Sequence, residues 1–119
     1  MVVRLASLAF AAGLGCDAVP GPTVDAVAPV AAARGADVVL SGAGFCGAGA
    51  VDAAGSCVEL PSGAVDVGLR TPIVRAPIVA WRAETIVVTV PTQAALGATA
   101  IYVTVDGRSS NAVDFEVLP

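Results

Sequence analysis

The strongest constraint on this chain is the alternation of apolar and polar residues along three segments near its C-terminus. These segments read TIVVTVP from residue 85, TAIYVTVDG from residue 99 and NAVDFEVLP from residue 111. Neighbouring side chains of a β-strand point to opposite faces of a sheet, so a period of two predicts strands with one buried face. The residues predicted to face the core are Ile86, Val88, Val90, Ile101, Val103, Val105, Val113, Phe115 and Val117.

Turn residues and further apolar runs extend this pattern along the chain. Asp106 and Gly107 form a pair typical of tight hairpin turns, and Pro119 ends the last strand because proline donates no hydrogen bond to a ladder. The other runs are VDAVAP and DVVLSGAGF, with weaker candidates in CVELP, AVDVG and PIVRAPIVAW. Pro72 and Pro77 predict an edge strand or a bend in the last of these.

The number of predicted strands indicates a fold class. About seven short strands in roughly a hundred residues are typical of an immunoglobulin-like β-sandwich. We therefore expect an all-β fold in which two antiparallel sheets stack on each other. The expected centre of its core is formed by Val38, Leu40, Ile86, Val88, Val103 and Phe115.

Composition limits both the core and the function. The chain has 119 residues, of which 56% are hydrophobic but only 4% aromatic, so we expect one domain with a thin core of valine and isoleucine. Its net charge of −4 argues against a nucleic-acid partner, because phosphate binding needs clustered lysine and arginine. The chain has no histidine, the commonest general base and metal ligand. We expect no catalytic residue, no cofactor and no metal site.

The N-terminus has the order of a secretory signal. Residues 1–15 contain Arg4, an apolar stretch from Leu5 to Leu14 and a small residue before Cys16. An apolar stretch of roughly ten residues is about half of what a membrane-spanning helix needs, so we expect no permanent transmembrane anchor. Residues 16–22 continue into a Pro/Gly-rich segment, which predicts a tether between an anchor and a folded domain.

The residues GLGC resemble the lipobox of bacterial lipoproteins. Gly15 and Cys16 fit that motif, whereas Gly13 stands where the family usually has leucine. The resemblance implies that Cys16 carries lipid, is the mature N-terminus and holds the protein on a membrane of the bacterial envelope. Ordinary cleavage after Ala18, which gives a secreted or periplasmic soluble protein, is the alternative.

The two remaining cysteines enclose a short loop, CGAGAVDAAGSC. In an oxidising compartment we expect Cys46 and Cys57 to form a disulfide, with two buried free thiols as the alternative. Two thiols without histidine do not make a zinc site. Chain entropy puts the stabilisation from closing this loop at about 3 kcal/mol.

The order of several motifs resembles the IPT/TIG family of immunoglobulin-like domains. The similarity runs from about Pro22 to Leu118, with a departure between Cys46 and Thr71. It implies that residues 23–118 are an immunoglobulin-like domain that contacts protein or glycan through sheet faces or loops. The motifs are Pro29 after the first strand, Gly42–Phe45 (GAGF), Trp81 before the Thr85–Pro91 strand, Gly97 before the penultimate strand, and the Gly107–Asn111 turn.

Two functions fit these features. The first is a binding or adhesion module displayed on the bacterial envelope, and the second is a structural spacer or assembly subunit of that envelope. An exposed aromatic residue near Trp81 or Tyr102, or an apolar sheet face, favours the first. Uniformly small, polar surfaces favour the second.

Three residues are candidate ligand contacts. Trp81 is the single tryptophan, and Arg108 and Asn111 lie in the polar turn DGRSSN. Burial of Trp81 against the core and a plain turn at Arg108 are the alternatives. Asp52 and Glu59 are the only acidic pair suggestive of glycoside hydrolysis or calcium binding, and solvated loop charges are the alternative for both.

The signal and its cysteine generate the first prediction. Cys16→Ser should abolish acyl labelling and release the domain from membranes, because the lipid is the proposed anchor. Acyl labelling and intact mass measurement of the mature protein check this. Recovery of a soluble wild-type protein that begins at Val19 would contradict it.

Overall fold

The computed structural model describes residues 21–68 and 73–119. Cys16, the signal and most of the proposed tether lie outside the described residues, as does Pro72. Across the two described ranges the chain forms ten strands and no helix. Accordingly, none of the described segments is a helix that can span a bilayer. The strands are β1 (Thr23–Ala28), β2 (Ala31–Ala33), β3 (Asp37–Ala43), β4 (Gly63–Val67), β5 (Val74–Arg75), β6 (Ile78–Trp81), β7 (Thr85–Thr89), β8 (Gly97–Val105), β9 (Arg108–Ser109) and β10 (Val113–Leu118).

The strands form two sheets. One has the order β1-β3-β7-β6 and is antiparallel throughout. The other has the order β2-β10-β8-β4-β5, with β9 paired to the end of β8. In this six-stranded sheet β2 pairs in parallel with β10, whereas its other pairings are antiparallel. The expected all-β fold is confirmed, but the second sheet is mixed rather than wholly antiparallel.

The predicted alternation determines which side chains are buried. One hydrophobic core takes side chains from both sheets. Val113 lies at its margin, half buried and packed against it. The other core-facing residues predicted from the alternation are each exposed by 2% or less, as are Val38 and Leu40. Phe45, which follows β3, is also completely buried although no alternation marks it.

The weaker strand candidates have three different outcomes. AVDVG contributes most of β4, as predicted, whereas CVELP forms no strand and only Cys57 makes an isolated bridge, to Val51. PIVRAPIVAW divides at Pro77 into β5 and β6, which are edge strands of different sheets. Ala76 N donates to Val65 O on one sheet, and Thr89 N donates to Pro77 O on the other. The chain therefore changes sheets at the proline, which agrees with the predicted edge or bend.

The predicted hairpin turn is present at Asp106 and Gly107. Both residues have positive φ angles, 50° and 83°, which is the backbone conformation of the tight turns that suit hairpins. The turn joins β8 to the two-residue strand β9. Ser110 then interrupts the ladder, since its hydroxyl accepts from Val103 N at 2.9 Å. The last strand pairs with β8 only beyond this interruption, from Val113 onward.

Adjacent residues of β3 provide a matched test of the core. Leu40→Ala should lower the free energy of unfolding by about 3 kcal/mol, because Leu40 is fully buried and its truncation leaves a cavity. Val39→Ala should cost less than about 1 kcal/mol, because Val39 faces outward and is 37% exposed. Urea denaturation of both variants checks the difference. Equal losses would mean that the faces of β3 are assigned wrongly.

Candidate functional site

One end of the molecule gathers the loops that carry most of the residues singled out in the sequence. We call it the loop end; it comprises residues 46–62, 82–84 and 106–107 with the start of β1. Ser62 N donates to the Asp106 carboxylate at 3.1 Å, and Asp106 N donates to Ser62 O at 2.7 Å. Ala83 N donates to Gly55 O at 2.9 Å. These hydrogen bonds join three loops into one surface.

The segment 46–60, which we call the cysteine loop, is closed by the predicted disulfide. Cys46 and Cys57 are bonded, with their Cα atoms 5.3 Å apart. Inside the loop, Val58 N donates to Ala50 O at 2.9 Å, and Val51 forms a bridge with Cys57. The disulfide therefore encloses a small hairpin-like structure rather than an extended link. Disulfides of this kind are typical of extracellular and periplasmic proteins.

Asp52 shapes the tip of the cysteine loop. One of its carboxylate oxygens accepts from Ala54 N and from Ser56 N, each at 2.9 Å. Asp52 N donates to Ser56 O, which completes a tight turn. The carboxylate is thus used within its own turn, and Glu59 is exposed on the surface. Over residues 21–68 and 73–119, no group of three or more histidine, cysteine, aspartate or glutamate side chains is placed to hold a metal ion.

Trp81 lies at the end of β6 and packs inward. Its Nε1 donates to Phe45 O at 2.7 Å, and the two rings meet edge to face with centroids 6.4 Å apart. The indole also covers Gly63, where an added Cβ would lie 2.5 Å from Trp81 Cη2. Trp81 therefore joins both sheets near the loop end. Its indole N–H is engaged inside the protein, in agreement with packing on the core rather than with a ligand contact.

Asn111 ties the approach to the last strand to the first strand. Its Nδ2 donates to Val24 O at 2.8 Å, and its Oδ1 accepts from Val24 N at 2.9 Å. This pair of bonds occurs where the register of β1 shifts between Val24 and Ala26. The Asn111 amide replaces the hydrogen bonding of a missing strand neighbour. Arg108 and Asn111 are both exposed, and Arg108 lies beside Asp106 at the rim of a small cleft.

A groove separates the cysteine loop from the turn between β6 and β7. Two adjoining parts of it, of about 360 and 350 Å³, share Val51, Ala83 and Glu84 in their walls. The Arg82 guanidinium donates to Ala54 O, which braces the loop against the turn. Glu84 is exposed in the wall of the groove. The groove is thus lined by two exposed carboxylates, those of Asp52 and Glu84.

Large aliphatic side chains of the cysteine loop face solvent. Val51, Val58 and Leu60 are 52%, 61% and 69% exposed. Val58 and Leu60 belong to CVELP, which the sequence pattern assigned to a weak strand. The alternation of Val58, Glu59 and Leu60 resembles that of a strand, and no signal in the sequence distinguishes this loop from one.

The four-stranded sheet also exposes an apolar face. Val39 of β3 is paired with Val87 of β7 and with Ala28 of β1, and Val87 is paired with Ala80 of β6. Because Leu40 and Val88 face the core, this row faces outward. The row crosses all four strands and has no charged member.

Comparison with known proteins identifies similar folds but no family. No protein-family model matches the chain, and no curated protein matches it. A structural genomics protein of unknown function from Bacteroides thetaiotaomicron VPI-5482 is 19% identical with a TM-score of 0.64, over 85% of this chain and 22% of that one. The gamma-CGTase of alkalophilic Bacillus clarkii is 32% identical with a TM-score of 0.59, over 83% of this chain and 12% of that one. This chain therefore spans less than a quarter of either protein.

The disulfide generates a stability prediction. The double variant Cys46→Ser, Cys57→Ser should lose about 2 to 3 kcal/mol of unfolding free energy, because the unfolded chain regains the freedom that the closed loop removes. It should still fold, since the core lies outside the cysteine loop. Urea denaturation and thiol titration of the native exported protein check this. Titratable thiols at either position, or a wholly unfolded double variant, would contradict it.

Proposed function

We propose that this chain is an exported, non-catalytic binding module of the bacterial envelope with an IPT/TIG-type immunoglobulin-like fold. Its lipid anchor is Cys16, its tether ends at Pro22, and its domain spans residues 23–118. The module contacts a protein or glycan ligand through the loop end.

The fold assignment within this proposal is supported by the order of the elements. The two sheets enclose one core, and the motifs at Pro29 and Gly42–Phe45 follow β1 and end β3. The edge position of β5 and β6 and the hairpin at Asp106 also agree with a sandwich of this type.

One observation carries the functional proposal: the cysteine loop presents exposed aliphatic side chains on a braced backbone. The disulfide, the Asp52 turn and the Arg82 hydrogen bond restrain the loop at its base, at its tip and against the neighbouring turn. A restrained loop loses little conformational entropy when it binds, so its apolar contacts contribute more of their free energy to affinity. Exposed apolar groups held in this way are a common property of interaction sites.

Export and the absence of catalysis are supported by the same region. The disulfide agrees with an extracellular or periplasmic location. One oxygen of the Asp52 carboxylate accepts two backbone hydrogen bonds, so this carboxylate serves the structure of its own turn.

A second function, that of a structural spacer, is favoured by the comparisons. The similar regions are small parts of much longer chains, 22% and 12% of their lengths. A unit of this kind can separate other domains without binding a ligand itself. The exposed apolar row on the four-stranded sheet argues for the binding function, since a spacer gains nothing from an apolar surface that faces solvent.

Sedimentation with cell envelopes of the source organism distinguishes the two functions. The full chain carrying Cys16→Ser, which removes the lipid contribution, should bind saturably. Leu60→Asp and Val58→Asp should each reduce binding at least tenfold, because a carboxylate cannot be desolvated in an apolar contact. Melting temperatures of these variants should change little, since both side chains are exposed.

Val30→Asp is the matched control for this experiment. Val30 is 69% exposed, as Leu60 is, but it lies between β1 and β2 at the opposite end of the molecule. The Val30→Asp variant should bind the envelopes as the parent protein does. Absence of saturable binding would favour the spacer, and equal losses in the Val30 and Leu60 variants would contradict the loop end as the contact surface.

A further inference from the structure

The outer face of the six-stranded sheet carries a polar row that the loop end does not use. Asp66 of β4 pairs with Arg75 of β5 on one side and with Tyr102 of β8 on the other. Because Val65 and Val103 next to them are fully buried in the core, these three side chains lie on the outward face. Directly paired residues on one face are close enough for their side chains to interact.

Asp66 has a special position in this row. It is the one charged side chain that is buried among the described residues, and its carboxylate accepts from Arg75 Nε at 3.0 Å. A buried charge without a partner is costly, so the ion pair between Asp66 and Arg75 is strongly favoured over the separated side chains. The bond through Nε fixes the direction of the guanidinium. The Arg75 side chain is nevertheless 70% exposed, so its terminal nitrogens are presented to solvent.

Tyr102 lies beside this ion pair among small neighbours. Ala64 and Ala100, which flank it on the same face, are both buried, and the tyrosine is half buried. Tyr102 therefore keeps part of its side chain exposed on this face. In the adjacent row, the hydroxyl oxygens of Thr104 and Ser109 lie 3.2 Å apart, with either one able to donate.

This combination matches the chemistry of a saccharide. A pyranose ring has an apolar C–H face that packs on an aromatic ring, and hydroxyl groups that need donors and acceptors at its edge. Tyr102 supplies the aromatic surface, and the oriented guanidinium of Arg75 supplies parallel N–H donors, whose hydrogen bonds are strong because they are charged. Thr104 and Ser109 add hydroxyl groups that donate and accept.

Charge selects among saccharides. Asp66 balances Arg75, so the row itself is neutral. Asp114 and Glu116 lie on the outward face of β10 in the same sheet and are exposed. Together with the net charge of −4, they disfavour an anionic ligand. We propose that the row formed by Arg75, Asp66 and Tyr102 is a binding subsite for a neutral saccharide.

Native affinity electrophoresis of the full chain tests this subsite. The probes are neutral soluble polysaccharides (laminarin, galactomannan, xyloglucan and amylose) and one acidic polysaccharide, polygalacturonate. At least one neutral polysaccharide should retard the protein. Tyr102→Ala should weaken that binding at least tenfold, whereas Tyr102→Phe, which keeps the ring, should remain within about threefold of the parent.

Two further variants define the role of the row. Arg75→Lys should also weaken binding about tenfold, because lysine keeps the charge but lacks the planar donor pair. Val30→Asp should leave saccharide binding unchanged, because Val30 lies between β1 and β2, outside the row. Melting temperatures identify any variant that fails to fold, and the Tyr102→Phe result remains informative in that case.

The proposal is overturned by any of four results. These are no retardation by the four neutral polysaccharides, stronger retardation by polygalacturonate, parent-like binding by Tyr102→Ala, and loss of binding in Val30→Asp. The first result leaves the loop-end proposal unaffected, because that proposal is tested on whole envelopes with variants of the cysteine loop.

Discussion

The hydrogen bond from Trp81 to the carbonyl of Phe45 is the interaction on which the loop end depends. Phe45 is fully buried, and a buried carbonyl that loses its partner costs about 1 to 3 kcal/mol. Because Phe45 directly precedes Cys46, this bond fixes the base of the cysteine loop. The same indole covers Gly63 at the start of β4, so one side chain positions both ends of the segment between β3 and β4. The disulfide restrains the loop that Trp81 has placed.

A core of small side chains explains why such ties are needed. Valine and alanine bury less apolar area than leucine or phenylalanine, so each strand contributes less to stability through packing alone. Specific polar contacts hold the edges instead. Asn111 completes the hydrogen bonding of β1 at its irregular point, and the Arg34 guanidinium donates twice to Ala94 O beyond β7. Each contact joins segments distant in sequence, which limits how far the strands can shift.

The sequence pattern predicted those strands and turns that depend on short stretches of the chain. The alternation in β7, β8 and β10 identified those strands and their buried faces, and Pro77 marked the edge strands β5 and β6. The parallel pairing of β2 was missed, because the sequence Ala31–Ala33 has no alternation and its place depends on the register of β10. The contact of Trp81 with Gly63 and the pairing of Asp66 with Arg75 were also missed. Packing of the two sheets brings Trp81 to Gly63 and strand pairing brings Asp66 to Arg75, and no spacing along the chain records either contact. Asn111 was predicted as a candidate ligand contact, which stays a prediction, and its amide hydrogen-bonds the backbone of Val24.

The loop end and the polar row of the six-stranded sheet share one physical strategy. In each, an internal contact restrains a group whose binding atoms stay exposed. The disulfide and Asp52 restrain the cysteine loop, and Asp66 restrains Arg75. Restraint before binding removes part of the entropy that a flexible surface would lose on association. A chain with few aromatic residues and few charges has few groups with which to build affinity. Fixing those groups in advance is the most effective use of them, because each contact then contributes nearly its full free energy to recognition.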